Sequence, residues 1–145
     1  MTTTIQVPEL ETGTVGEAMT HGILTCLPVT PLRVVARMMA THRVHAIVVF
    51  GADDRLMPWG IVSDLDLIGA IGTHATAGSV AGSPVVTVTQ DDTLEHAAQL
   101  MREHSTSHLV VIAERESPLP MGILSSLDIA RALAAGEAPE EFASG

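Results

Sequence analysis

The stretch GIVSDLDLIGAI, residues 60–71, occurs again with few changes as GILSSLDIARAL at residues 122–133. Both copies keep a glycine, a serine three positions later and an aspartate three positions after the serine. A shift of 62 residues, with no gap, also matches Thr25 with Thr87, Leu32 with Leu94, Ala36 with Ala98, Met39 with Met101, His42 with His104 and Pro58 with Pro120. The chain is therefore predicted to be a duplicated unit.

Each copy of the unit is predicted to fold in the order β-α-β-β-α. In the first copy, a short strand over 22–27 precedes a helix over 31–42 that has Thr30 as its N-cap. A wholly apolar strand over 46–50, a polar loop, a second strand over 59–62 and a helix from Ser63 to about Ile71 follow. The apolar strand predicts burial on both faces.

The second copy repeats this order with strands over 84–89, 109–112 and 121–124 and a last helix from Ser125 to Ala135. Asp92 is predicted to cap its first helix, and Glu95 stands where a capping box needs it. The sequence thus predicts an α/β protein with two repeats, 14–75 and 76–135, packed face to face. Residues 1–13 and 136–145 are predicted to be flexible tails.

Charge and composition restrict the class of partner. The 145 residues carry a formal net charge of −10 and no lysine, so we expect neither nucleic acid nor an anionic membrane as a partner. No apolar run is long enough to span a membrane, and the N-terminal sequence lacks the pattern of a signal peptide. Cys26 is the single cysteine, which is typical of a reducing, cytoplasmic environment.

The repeated serine and aspartate stand where a strand ends and a helix begins. A serine at the N-cap with an aspartate at N3 forms an ordinary capping pair. The same pair can also bind a ligand, because free N–H groups at a helix start attract anions and a carboxylate can accept two hydrogen bonds from a vicinal diol such as that of ribose. Both interpretations remain open for Ser63 with Asp66 and for Ser125 with Asp128.

The pattern Gly-hydrophobic-x-Ser-x-x-Asp, closing a β-α-β-β-α unit, resembles the cystathionine-β-synthase (CBS) domain, and two copies in tandem resemble a Bateman module. The resemblance covers residues 14–135. It implies two repeats related by a pseudo-twofold axis, with two clefts that bind adenosine-containing ligands such as AMP, ADP, ATP or S-adenosylmethionine. It also implies a homodimer that acts as an energy or metabolite sensor.

The resemblance implies a role for several residues by their position. Asp66 and Asp128 would hold the ribose hydroxyls, Ser63 and Ser125 would contact ribose or the α-phosphate, and Thr25 and Thr87 would lie near the base. His45 and His108 stand just before the buried strands. In family members, the residues at these positions often face the phosphates of the ligand. From the residues alone, these histidines could equally bond only to backbone.

This sequence departs from the family pattern near the phosphate. Many members have an arginine directly before the aspartate, where this chain has Leu65 and Leu127, which disfavours a triphosphate ligand. Asp64 adds a negative charge in the first repeat, where the second has Ser126, so we expect the cleft of Asp128 to be the better nucleotide site.

Two arginines are candidates for contacting phosphate. Arg131 follows Asp128 by one helical turn, and Arg43 follows the first helix of the first repeat. Each could reach a cleft or point into solvent.

No constellation of catalytic residues is visible, because the serines are assigned to helix caps and Cys26 lies in an apolar strand. The pairs His42 with His45 and His104 with His108 give two possible metal ligands per repeat, too few for a metal site unless a dimer combines them. We therefore expect no enzyme, no metal and no prosthetic group. The sequence is interpreted as a stand-alone regulatory CBS-domain pair whose regulated protein is unknown; the alternative is a ligand-free structural or dimerisation module for a partner protein.

Overall fold

A computed structural model describes residues 13–51, 58–82 and 84–135. The elements are α1 (Val15–Ala18), β1 (Thr20–His21), β2 (Thr25–Cys26), α2 (Leu32–His42), β3 (Ala46–Phe50), β4 (Pro58–Ser63), α3 (Asp64–Gly69), α4 (Ala77–Val80), β5 (Thr87–Thr89), α5 (Leu94–His104), β6 (His108–Glu114), β7 (Ser117–Ser125) and α6 (Ser126–Ala135). One sheet has the strand order β2-β3-β4, and the other has the order β1-β7-β6-β5. The predicted tails lie outside the described residues, apart from Gly13.

The two repeats share the same strand register. Thr25 pairs with Val48 between the parallel strands β2 and β3, and Thr87 pairs with Val110 between β5 and β6. The antiparallel pairs Val48 with Ile61 and Val110 with Ile123 follow the same shift. The duplication seen in the sequence is therefore a duplication of hydrogen-bonded structure.

The two sheets pack against each other through their inner faces. This inter-sheet core is made of Ala46, Val48, Phe50, Ile61, Val110 and Ile112, all buried. The alternate residues of β3 and β6, such as Val49 and Val111, face the helices of their own repeat. Since both faces of β3 and β6 are covered, the predicted burial of these apolar strands is confirmed.

Each sheet is completed by the segment that precedes the other repeat. Strand β1 pairs with β7, where Thr20 lies opposite Ile123, and Val15 and Met19 are buried in the core of the second repeat. In the same way, Ala77 is buried in the core of the first repeat, and Gly82 forms a bridge to Ile61. Elements α1, β1 and α4 were not predicted from the sequence, and this exchange of segments ties the two repeats together.

The predicted N-caps of α2 and α5 were each wrong by one residue. Pro31 is the N-cap of α2, and the Thr30 hydroxyl instead accepts a hydrogen bond from the Leu27 N–H at 3.1 Å. Thr93 caps α5, whereas Asp92 accepts a hydrogen bond from the Thr89 N–H at 2.9 Å and so closes the turn after β5. A carboxylate that satisfies the turn is not available for the helix.

Two further boundaries differ from the prediction. The loop expected over 113–120 is largely a hairpin of β6 and β7, since the two strands pair as far as Glu114 and Ser117. Helix α3 ends at Gly69, two residues earlier than expected. Within the three described ranges, no helix is long and apolar enough to cross a membrane.

Candidate functional site

Two clefts open between the repeats, and the shift of 62 residues relates one to the other. The Asp128 cleft, of about 220 Å³, is lined by residues 20, 22–24 and 43–46 of the first repeat and by His108, Ile123, Ser125, Leu127, Asp128 and Arg131 of the second. The Asp66 cleft, of about 690 Å³, is lined by Ile61, Ser63, Leu65 and Asp66 of the first repeat and by residues 82, 84–87 and 104–108 of the second. Each cleft thus takes residues from both repeats.

The exchanged segments explain why the clefts combine the two repeats. Because β1 pairs with β7, Thr20 lies opposite Ile123, two residues before Ser125 starts the turn into α6, and residues 20 and 22–24 line the same cleft as Ser125. On the other side, Gly82 forms a bridge to Ile61, two residues before the end of β4 at Ser63, and residues 82 and 84–87 line the same cleft as Ser63. A molecule bound in either cleft would touch both repeats.

Asp128 is a buried carboxylate at the start of α6, with 7% of its surface exposed. Its Oδ2 accepts a hydrogen bond from the Ser125 N–H at 2.8 Å, and its own N–H donates to Ser125 Oγ at 3.1 Å. Its Oδ1 lies 4.0 Å from Nη1 of Arg131. One carboxylate oxygen therefore serves the helix cap, and the other lies beside an exposed arginine in the cleft.

Asp66 makes the corresponding capping contacts at the start of α3. Its Oδ2 accepts hydrogen bonds from the Ser63 N–H at 2.8 Å and from Ser63 Oγ at 3.1 Å. The Asp66 N–H donates to Ser63 Oγ at 3.4 Å. The capping interpretation is thus confirmed for both repeats, and it leaves a carboxylate oxygen of each aspartate available to a ligand.

The two clefts differ in cationic side chains. Arg43, His45 and Arg131 line the Asp128 cleft. The residues that correspond to them by the shift are Ser105, Ser107 and Gly69. Arg43 and Ser105 both end their helices in the left-handed region, with φ of 56° and 50°, so the backbone presents these two side chains alike.

His45 forms an ion pair with Asp64, with 3.0 Å between Nδ1 and Oδ2. This hydrogen bond holds the pKa of the Asp64 carboxyl below its usual range. Asp64 does not line either cleft in the described chain, but its carboxylate contacts His45 and acts on His108, both of which are cleft residues. Both side chains of the pair are exposed, so solvent screens their attraction.

His108 lies where the two clefts meet and lines both of them. Its Nδ1 is 3.0 Å from Ser107 Oγ. Burial is the largest influence on the pKa of His108 and lowers it, while the carboxylates of Asp64, Asp128 and Asp66 act in the opposite direction. The neutral imidazole is favoured where burial dominates.

The structure brings most of the predicted site residues to the clefts. Ser125, Asp128, His45 and Arg131 line the Asp128 cleft; Ser63, Asp66 and Thr87 line the Asp66 cleft; His108 lines both. Thr25, which was also predicted to lie near the base, lines neither cleft in the described chain, and its backbone pairs with β3.

Residues 20 and 22–24 line the Asp128 cleft, residues 82 and 84–86 line the Asp66 cleft, and none of them was predicted as a site residue. Gly60 and Gly122 carried a signal for them, because a glycine in a strand indicates close approach of another chain segment. The approaching segments are these cleft walls: the backbone of Thr20 lies against Gly122, and that of Gly82 lies against Gly60.

The structure offers no support for a metal or a reactive thiol. Among the described residues, no group of three or more His, Cys, Asp or Glu side chains is placed to hold a metal ion. Burial raises the pKa of the Cys26 thiol, which keeps it protonated and poorly nucleophilic.

The CBS-domain family matches this chain twice, over residues 15–73 and 77–135. A homoserine O-acetyltransferase of Methanosphaerula palustris is 33% identical over 106 residues, which are 72% of this chain and 21% of that protein. The chain therefore spans about a fifth of the length of that relative. Hypoxic response protein 1 of Mycobacterium tuberculosis is 31% identical over 108 residues, 70% of this chain and 72% of that protein.

Solved structures with the same fold include CBS proteins with bound ligands. The CBS domain protein PAE2072 from Pyrobaculum aerophilum, complexed with AMP, is 27% identical with a TM-score of 0.69, over 84% of this chain and 98% of that one. The CBS domain pair of protein MJ0100, in complex with 5′-methylthioadenosine and S-adenosyl-L-methionine, is 19% identical with a TM-score of 0.75. The match covers 86% of this chain and 98% of that one. The predicted fold class is confirmed.

Proposed function

The chain belongs to the CBS-domain family, and from this premise we propose that it is a cytoplasmic regulatory sensor that binds an adenine nucleotide or related adenosyl compound between its repeats. It acts without catalysis and without a prosthetic group. The ligand reports a metabolic state, and a partner protein that is not yet known responds to it. AMP, ADP, ATP and S-adenosylmethionine are the compounds to compare.

One observation carries this proposal: the Asp128 carboxylate is buried at the start of a helix and lies in a cleft that two arginines also line. Its Oδ2 is held by the cap, so Oδ1 accepts from the ribose diol. The phosphate then lies near Arg43, Arg131 and His45, which offset the strong negative charge of the chain as a whole.

The ligand acts by linkage between the repeats. Residues 22–24 come from one repeat and Ser125 and Asp128 from the other, so a molecule that contacts both favours one relative arrangement of the two sheets. A partner that recognises this arrangement binds better or worse when the cleft is filled. The AMP complex of the Pyrobaculum protein, at 27% identity, supports an adenosyl ligand.

We also propose that the chain forms a homodimer. Helix α2 exposes Arg33 and Arg37. In α5, Glu95 stands at the position that corresponds to Arg33. Helix α5 also exposes Arg102 and, two turns after Glu95, Glu103. Since α2 and α5 differ in charge at corresponding positions, α2 of one copy fits α5 of a second copy better than another α2.

A second candidate function, a structural module without a ligand, is favoured by one specific observation. Helix α3 and the turn after it expose Leu65, Ile68 and Ile71, with 71%, 63% and 78% of their surfaces accessible. Such a row is suited to docking on a protein. In this case Ser63, Asp66, Ser125 and Asp128 would only cap their helices and would bind no ligand.

Thermal unfolding of the purified protein separates the two candidates. A ligand at a hundred times its Kd adds about 2.7 kcal/mol, which raises the melting temperature by roughly 5–10 °C for a chain of this size. We expect a rise with adenosyl compounds and none with a guanosine control. Asp128→Asn should abolish the rise with AMP while keeping an acceptor for the Ser125 N–H. No rise with any compound at millimolar concentration would favour the structural module.

A further inference from the structure

We infer that the two clefts take adenosyl ligands of different charge: the Asp128 cleft takes a phosphorylated one, and the Asp66 cleft takes one that carries no phosphate. This inference rests on the proposed function and deepens it. It assigns a chemical class of ligand to the Asp66 cleft, for which the proposed function names none.

The first support is a comparison of matched positions. The duplication places Ser105 where Arg43 stands, Ser107 where His45 stands and Gly69 where Arg131 stands. The residue pairs lie on corresponding parts of the fold, and Arg43 and Ser105 share the same left-handed backbone conformation. Arg43, His45 and Arg131 of the Asp128 cleft are therefore each replaced by a small residue without a basic group.

The second support is the charge that remains in the Asp66 cleft. Its described lining contains no arginine, and its carboxylate is Asp66. Two histidines, His104 and His108, are the basic groups there, and burial lowers the pKa of His108. A phosphate entering this cleft would lose its hydration without gaining a fixed cation in return, which is unfavourable.

The third support is the shape and polarity of the Asp66 cleft. At about 690 Å³ it is larger than the Asp128 cleft, at about 220 Å³. Its walls include the apolar side chains of Ile61, Val85 and Val86 and the ring of Pro84. This apolar part of the wall suits a flat base, and the hydroxyl groups of Ser105, Thr106 and Ser107 line the same cleft with uncharged polar groups.

The ligand requirements differ only at the 5′ end. Asp66 keeps the contacts with Ser63 that Asp128 makes with Ser125, so both aspartates can accept hydrogen bonds from a ribose diol. The clefts then share the recognition of ribose and differ in what they accept beyond it. The chain would compare the amounts of a phosphorylated and an unphosphorylated adenosyl compound.

Isothermal titration calorimetry with AMP and with 5′-methylthioadenosine tests this inference, because the second compound keeps the adenosine and replaces the phosphate with a methylthio group. We expect Asp128→Asn to weaken AMP about tenfold or more and to leave methylthioadenosine almost unchanged, with the reverse for Asp66→Asn. If both compounds lose affinity in the same variant, they share one cleft and the inference is overturned. If neither compound binds the unaltered protein at millimolar concentration, the proposed function fails as well.

A second test exchanges the residues at one matched pair of positions, Arg43 and Ser105. Ser105→Arg places an arginine in a backbone conformation that the first repeat already gives to Arg43. We expect it to raise AMP binding at the Asp66 cleft about tenfold in the Asp128→Asn background, and Arg43→Ser to lower AMP binding in the otherwise unaltered chain. An unchanged affinity for AMP in both variants would contradict the assignment by charge.

Discussion

The backbone carbonyl of Thr20 lies so close to Gly122 that a Cβ on this glycine would overlap it. The two residues are neighbours because β1 pairs with β7 across the repeats. The glycine of the repeated motif is therefore required by packing, whatever the cleft binds. Gly60 has the same role in the first repeat, where a Cβ would lie 2.8 Å from the Gly82 carbonyl oxygen.

Gly122→Ala is expected to destabilise the protein by about 1–3 kcal/mol, because the added methyl group forces β1 away from β7. The free energy of unfolding in urea measures this loss. Gly69→Ala is the matched control, since a Cβ at Gly69 meets nothing within 4 Å and the residue ends a helix. Equal stability of Gly122→Ala and the unaltered protein would show that β1 is not held against β7.

Ser125→Ala is expected to cost about 1 kcal/mol of stability, because the Asp128 N–H loses its acceptor at 3.1 Å while the carboxylate stays buried. Ser126→Ala is the control, because it removes a hydroxyl group from the next residue. The Ser126 side chain is exposed and makes no hydrogen bond in the described chain. Chemical denaturation of both variants gives the comparison. A loss in Ser126→Ala as large as in Ser125→Ala would argue against the cap.

The sequence was sufficient to predict the parts of the fold that depend on local pattern. The apolar strands β3 and β6 and the helices α2 and α5 follow from hydrophobic periodicity, and the gapless repeat predicts the shared register. The caps were misplaced by one residue because Asp92 and Thr93 are both good capping residues. Local preference does not decide between two such neighbours, whereas the turn after β5 does.

The exchanged segments could not be predicted, because their partners are distant in sequence. Thr20 pairs with Ile123, about a hundred residues away, and the short strand carries no periodic pattern of its own. For the same reason the composition of each cleft was not predictable. Ser125 and Asp128 were identified from the motif, but residues 22–24 became part of the same cleft only through the pairing of β1 with β7.

The stability of the protein is expected to fall as the pH drops below about 6.5, in part because of His108. Burial lowers the pKa of His108 in the folded state, so the unfolded chain takes up the proton first. The contribution of His108 is therefore complete above pH 6.5 and is lost as the pH falls toward the lower, folded pKa. The free energy of unfolding between pH 5 and 8 measures it.

His108→Asn should reduce this pH dependence, since the amide can keep the contact with Ser107 without titrating. The exposed His74 provides the control variant, His74→Asn. Asp64 and His45 face the same region, but the lowered pKa of Asp64 affects stability only as the pH falls below about 3.8, outside this window. An unchanged pH dependence in His108→Asn would contradict the assignment to His108.

The proposed homodimer makes a prediction about paired charge reversals. Arg33→Glu should weaken the dimer, because it sets a glutamate of α2 against the Glu95 of a second copy. Glu95→Arg should weaken it as well, and the double variant should recover because the opposite charges are restored in exchanged positions. Sedimentation velocity over a range of protein concentrations measures the dissociation constant.

Glu116→Arg, in the turn between β6 and β7, is the control for a charge reversal away from both helices. Each charge pair is expected to stabilise the dimer by about 1 kcal/mol or less, because solvent screens exposed pairs. The dissociation constant should therefore change only a fewfold, and the change should be larger at low salt. Recovery in the double variant indicates that α2 meets α5. If the double variant does not recover, Arg33 and Glu95 do not face each other and the pairing of α2 with α5 is wrong.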